Sequence, residues 1–241
     1  DPLSVSMSDR EVAKRFENLD LISAAVVGEG GMLVGRITID DVVDVIRAEA
    51  EHTVMSMAGL DEEEDIFAPV KSAVRKRSLW LGINLVTAFL ASWVVGLFEA
   101  TIAQVVALAF LMPVVASMGG IGGSQTLTLM IRGLALGQVD SRYTAQLLRK
   151  EVSVALINGI LFAAIVALIA VIWFGSGKLA GVIAIALILN QLAGAVSGVF
   201  VPLLLQRLGI DPALAGSVIL TTVTDVAGFF IFLGLGGAIL L

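Results

Sequence analysis

Residues 113–137 read PVVASMGGIGGSQTLTLMIRGLALG, and the number of times this stretch crosses a bilayer decides the architecture of the chain. It sits in an uncharged run at 102–131, thirty residues long. At about 1.5 Å rise per residue such a run is too long for one straight span of a roughly 30 Å hydrocarbon core. Pro113 and the string MGGIGGSQ at 118–125 interrupt it. Working outward, uncharged runs occupy 79–98 on one side and 152–174, 179–206 and 213–241 on the other, the last holding one carboxylate, Asp225. Loops rich in Lys and Arg stay on the cytoplasmic side. If 102–131 is a single interrupted pass, then Lys71, Arg75, Lys76, Arg77, Arg132, Arg142, Arg149, Lys150 and Arg207 share one side and only Lys178 lies on the other. Two passes there would put Arg132 to Lys150 on the wrong side. The expected fold is therefore a mainly α membrane protein with five transmembrane helices, at about 79–98, 102–137, 150–174, 179–206 and 212–241. The second is expected to be broken at Pro113 and at Gly119 to Gly123, with the N-terminus cytoplasmic and the C-terminus outside.

Composition points the same way. Of 241 residues 58% are hydrophobic and 15% charged, against roughly 25% charged in ordinary soluble domains. With no cysteine there are no disulfides, thiolate metal sites or thiol nucleophiles, and the single histidine, His52, argues against imidazole-rich zinc or haem sites. Charge is uneven: residues 1–70 hold 16 acidic against 5 basic residues, and 71–241 hold 5 against 10. An acidic lobe on a basic membrane domain attracts cations, and nothing in the chain has the basic patch that nucleic acid needs.

Three segments follow from this: 1–54, an α/β lobe; 55–76, an acidic linker; and 77–241, the membrane domain. In the lobe, Ser8 is a candidate N-cap for a helix from Asp9 to about Asn18. Apolar runs at 21–27 and 32–39 flank the turn GEGG, and a helical pattern runs from Asp40 to about Glu51. This order resembles a cystathionine-β-synthase (CBS) type regulatory module, of which only part is present, and GRITIDD at 35–41 resembles that family's strand-to-helix corner. Thr38 and Asp41 have the T-x-x-D spacing with which such modules hold a nucleotide ribose, so ATP is one candidate ligand. The same pair also makes a capping box, and both readings stand.

The glycine cluster Gly119, Gly120, Gly122 and Gly123, with Ser117, Ser124, Gln125 and Thr126, lies midway along a hydrophobic pass. Unwound carbonyls at that depth occur only where protein or a cavity covers them, and ion pathways use them as ligands. The plainer reading is close helix packing of the small-xxx-small kind. Asp225 lies on a polar stripe with Ser217, Thr221 and Gly228. An ionised carboxylate in hydrocarbon costs at least about 2.5 kcal/mol, so such residues mark substrate or proton paths. Mg2+ takes oxygen ligands and keeps several waters, but one carboxylate does not neutralise it. A two-fold homodimer would pair two copies of Asp225. The expected pore ligands are Asp225, Thr221, Ser217, Gly119, Gly120, Gly122 and Gly123. Glu51, Asp61, Glu62, Glu63, Glu64 and Asp65 are the expected regulatory metal site, since bound cations would relieve their mutual repulsion.

With a CBS-like unit, an acidic linker, five passes, PVVASMGGIGGSQTLTLMIRGLALG and TDVAGFFIFLGL in this order, essentially the whole chain resembles the MgtE family of magnesium channels. The resemblance implies a homodimer in the plasma membrane with a pore between subunits, Asp225 as its intramembrane acid and a linker plug helix. It also implies Mg2+-sensing acids that close the pore when cytoplasmic Mg2+ is high. Two positions depart from the family pattern: Ile121 and Ser217 stand where an amide side chain is frequent. A proton- or Na+-coupled transporter of divalent cations and a membrane-anchored sensor are the competing readings. An intramembrane enzyme would need a Ser/His or paired-carboxylate constellation, and Asp225 is the only acid inside the uncharged runs.

Overall fold

The computed structural model describes residues 2–60, 67, 69–136 and 141–241, without the side chains of 141–143. It divides into two compact units, Asp1–Phe67 and Ala68–Leu241.

The first unit is a small α/β layer. Strand β1 (Leu3–Ser4) is followed by α1 (Asp9–Leu19), β2 (Ser23–Val27), β3 (Leu33–Thr38) and α2 (Ile39–Met57). β1 pairs parallel with β2 and β2 antiparallel with β3. Helix α1 starts where a cap allows it: Ser8 accepts from the Glu11 N–H while the Glu11 carboxylate accepts from the Ser8 N–H, closing a capping box. Leu3, Val12, Phe16, Ala24 and Val42 form the core between the helices and the sheet, and Arg10 of α1 pairs with Glu49 of α2. Helix α2 outruns the expected end near Glu51 by two turns, because no Gly or Pro stops it before Gly59.

The second unit is a helical bundle: α3 (Val70–Gly96), α4 (Glu99–Gln104), α5 (Ala107–Ala135), α6 (Ser141–Phe174), α7 (Gly177–Arg207) and α8 (Pro212–Leu240). Among the described residues five helices are long and apolar enough to cross a membrane: α3, α5, the 144–174 part of α6, α7 and α8. The chain is an integral, multi-pass membrane protein. α7 is the central helix and packs against α5, α6 and α8, while α3 lies on α8. Leu108, Val115, Ile183, Leu187, Phe232 and Leu233 are fully buried between them, and Leu79, Leu85, Val86, Phe89 and Trp93 on α3 are left at the surface. Tight turns join the last three helices. At Gly209 (φ 72°) the Ile210 N–H reaches back to the Leu205 carbonyl, and Asp211 then caps α8 by accepting from the Ala213 N–H at 2.9 Å.

The second pass differs from expectation. Helix α5 is continuous from Ala107 to Ala135, through Pro113 and through Gly119, Gly120, Gly122 and Gly123, so no carbonyls are unwound at the glycine cluster. The interruption lies upstream, at Val105 and Val106, where α4 ends and α5 begins. The physical reason is lateral packing. A Cβ at Gly123 would lie 3.2 Å from the Gly194 Cα, one at Gly194 2.7 Å from the Gly119 carbonyl oxygen, and one at Gly198 2.8 Å from the Gly123 oxygen. Gly119 and Gly123 on α5 face Gly194 and Gly198 on α7, a small-xxx-small pair on each helix that brings the two backbones into contact.

Candidate functional site

On α5, Ser117, Gly120, Ile121, Ser124, Gln125 and Thr128 recur at helical spacing and so share one face. With Thr221 and Asp225 of α8 they line an open groove of about 820 Å3 on the surface of the bundle. The hydroxyls of α8 are turned inward on their own helix: Thr221 donates to the Ser217 and Val218 carbonyls at 3.0 and 3.1 Å, and Thr222 donates to Val218 at 2.6 Å. Their lone pairs remain free to accept. Asp225 has no hydrogen bond or ion pair to any described residue. Among the described residues the groove thus presents one carboxylate with hydroxyl and amide oxygens and no cationic side chain, which suits a hard, hydrated cation.

The expected pore residues separate. Asp225, Thr221 and Gly120 line the groove, and Ser217 lies one turn before Thr221, outside the lining. Gly119 and Gly123 are buried against α7 instead, and Gly122 faces Gln191. Thr224 and Gly228, which share the polar stripe of α8, point into the bundle and are buried. There Asn190 of α7, fully buried, is wedged between Gly119 and Gly228, and its Nδ2 donates to the Val115 carbonyl at 2.8 Å.

In the first unit, Asp41 Oδ2 accepts from both the N–H and the hydroxyl of Thr38 at 3.1 Å, the geometry of a helix start. Beside it the Thr38 hydroxyl, the helix-start N–H groups and Arg36 hold the Asp40 carboxyl below its ordinary range. Glu51 is exposed and paired with Arg47, whose Nε lies 3.1 Å away. The expected sites Asp61, Glu62, Glu63, Glu64 and Asp65 lie outside the described residues.

One acid escaped the sequence reading. Glu151 stands in the first turn of the expected third pass beside Lys150, where it reads as a helix-end charge, yet it is 5% exposed. Thr126 of α5 donates to its Oε2 at 3.0 Å, and the Lys150 ammonium lies 3.2 Å from Oε1. It belongs to a second cavity of about 400 Å3 between α5, α6 and α7. The available signal was the polar spacing Glu151 and Asn158, seven residues apart and on one face of a helix.

Comparison with known proteins adds to this geometry. The family model MgtE, a divalent cation transporter, matches residues 112–235. The chain is similar to proteins named magnesium transporter MgtE from Thermus thermophilus (34% identical over 232 residues), Bacillus subtilis (32% over 228) and Enterococcus faecalis (27% over 232). Each alignment covers 95% of this chain and 51% of the relative, so the chain spans about half the length of the curated relatives it matches. The matched segment runs from the second turn of α5 to the last turns of α8 and so contains both walls of the Asp225 groove: the chain belongs to the MgtE family of divalent cation transporters.

Proposed function

We propose that the chain carries Mg2+ across the plasma membrane through a pore between two copies of itself, with the groove of α5 and α8 as each copy's half. The observation that carries this reading is the Asp225 carboxylate, without a partner among the described residues and lining a groove on the surface of a membrane bundle. Left against lipid it would cost at least about 2.5 kcal/mol. A second copy placed on the groove removes it from lipid and sets two carboxylates and a doubled set of hydroxyl and amide oxygens around one path. Mg2+ would pass with much of its water retained, since few protein ligands are needed and the backbone of α5 stays helical. The names of the relatives, magnesium transporters, support the choice of ion.

In this proposal the first unit is a CBS-like regulatory module on the cytoplasmic side, the acidic segment 61–65 senses Mg2+, and the C-terminus is outside. The excess of basic residues on one side of the five passes supports that orientation. Glu51 would have to leave Arg47 to join the sensing acids. ATP held at Thr38 and Asp41 is a further part of this proposal: the T-x-x-D spacing supports it, and the capping bonds between the two residues use one carboxylate oxygen, Oδ2.

Mg2+ influx into proteoliposomes, with Ca2+ and Na+ as competitors, tests the pathway. Flux by the native chain that vanishes in Asp225→Ala is the expected result. Equal flux in both removes Asp225 from the path, no divalent flux in either defeats the transport reading, and flux that requires an imposed proton or Na+ gradient replaces the channel by a coupled carrier.

A further inference from the structure

The cavity between α5, α6 and α7 is separate from the pathway groove but shares a wall with it: Ile121, Gln125 and Leu129 of α5 line both. Its one carboxylate, Glu151, is held on one side only. Oε2 accepts from Thr126, whereas Oε1 is buried and accepts no hydrogen bond among the described residues. The ammonium 3.2 Å from Oε1 belongs to Lys150, whose side chain is 62% exposed and free to swing to solvent. A buried carboxylate oxygen without a hydrogen bond is costly, more so at low dielectric. Gln191, itself 6% exposed, and Asn158 bring neutral amide oxygens to the same cavity.

We infer that this cavity is a second cation site, in which Glu151 holds a hydrated divalent cation with the amide oxygens of Gln191, Asn158 and Gln125 around it. Size fits the assignment. A water occupies about 30 Å3 in the liquid, so an ion with six waters takes roughly 200 Å3, and the cavity offers about 400 Å3. One carboxylate does not neutralise a divalent ion, so the waters that the ion keeps and the neutral amide oxygens supply the rest of its solvation. When the ion enters, Lys150 gives up Oε1 and turns outward. Gln125, whose side chain borders both cavities, is then the group an ion passes between the two. That last role rests on the transport reading, whereas occupancy of the site does not.

The test counts ions instead of flux. The purified full chain is titrated with Mn2+, free Mn2+ is followed by electron paramagnetic resonance, and the number bound per chain is compared for the native protein, Glu151→Gln and Asp225→Asn. Glu151→Gln is expected to bind one Mn2+ fewer per chain, with the Asp225-dependent ion retained; an unchanged number overturns the proposal. If Asp225→Asn alone leaves binding unchanged while Glu151→Gln loses an ion, the pathway reading fails and this site stands. Should Glu151→Gln fail to fold, Gln191→Leu serves in its place. It is expected to weaken the Glu151-dependent ion roughly ten-fold, and native affinity in that variant overturns the proposal.

Discussion

Helix α5 carries glycines on two faces that behave in opposite ways. On the face toward α7, Gly119 and Gly123 have no room for a Cβ, which would meet Asn190 in the first case and Gly194 with Leu220 in the second. On the face toward the groove, a Cβ at Gly120 would find its nearest neighbour, the Thr224 hydroxyl, at 3.9 Å, an ordinary contact. The same residue type in the same helical turn therefore welds the bundle on one side and leaves open space on the other. A glycine in a transmembrane pass says that something comes close; whether this is a neighbouring helix or a transported ion depends on which way it faces.

The contrast can be broken at several points. The largest effect is expected from Gly194→Leu, whose Cβ alone would press on the Gly119 carbonyl oxygen. Backbone has nowhere to yield, and the variant should fail to yield folded protein by size-exclusion chromatography in detergent. Gly123→Ala adds one methyl at 3.0 Å from Leu220 Cδ1 and 3.2 Å from the Gly194 Cα; a loss of about 1–3 kcal/mol in thermal or denaturant unfolding is expected. Asn190→Leu removes the bond to the Val115 carbonyl between α7 and α5. Interhelical bonds of this kind contribute about 0.6 kcal/mol on average and up to about 1.7 kcal/mol, and the branched side chain must also fit between Gly119 and Gly228. Stability should fall by at least about 1 kcal/mol. Gly120→Ala should change stability by less than about 0.5 kcal/mol while lowering Mg2+ flux, since the added methyl enters the groove. Equal losses of stability at Gly120 and Gly123 would erase the difference between the faces.

Some of this was legible before any fold was known. Ser8 with Glu11 three residues on reads as a cap, and it is one, because capping is settled within one helical turn. The five apolar helices were visible as runs, because a span must be apolar along its whole length whatever its neighbours are. The ends were less visible: α3 begins at Val70, taking in the basic residues Lys71 to Arg77, since charged side chains at a helix end do not stop a helix. The break in the second pass was expected where glycines cluster and lies instead at Val105 and Val106, which no residue type announces.

The sequence by itself determined the number of apolar helices, the α/β character of the first unit and the presence of an acid, Asp225, in a hydrophobic run, because each depends on local composition and period. Only the tertiary structure decided which face of α5 meets α7, that Asn190 joins three helices and that Glu151 is enclosed. Those facts depend on the rotation of one helix against another. In an apolar solvent close packing sets that rotation in place of hydrophobic contrast, so the pattern of polar and apolar residues carries little record of it.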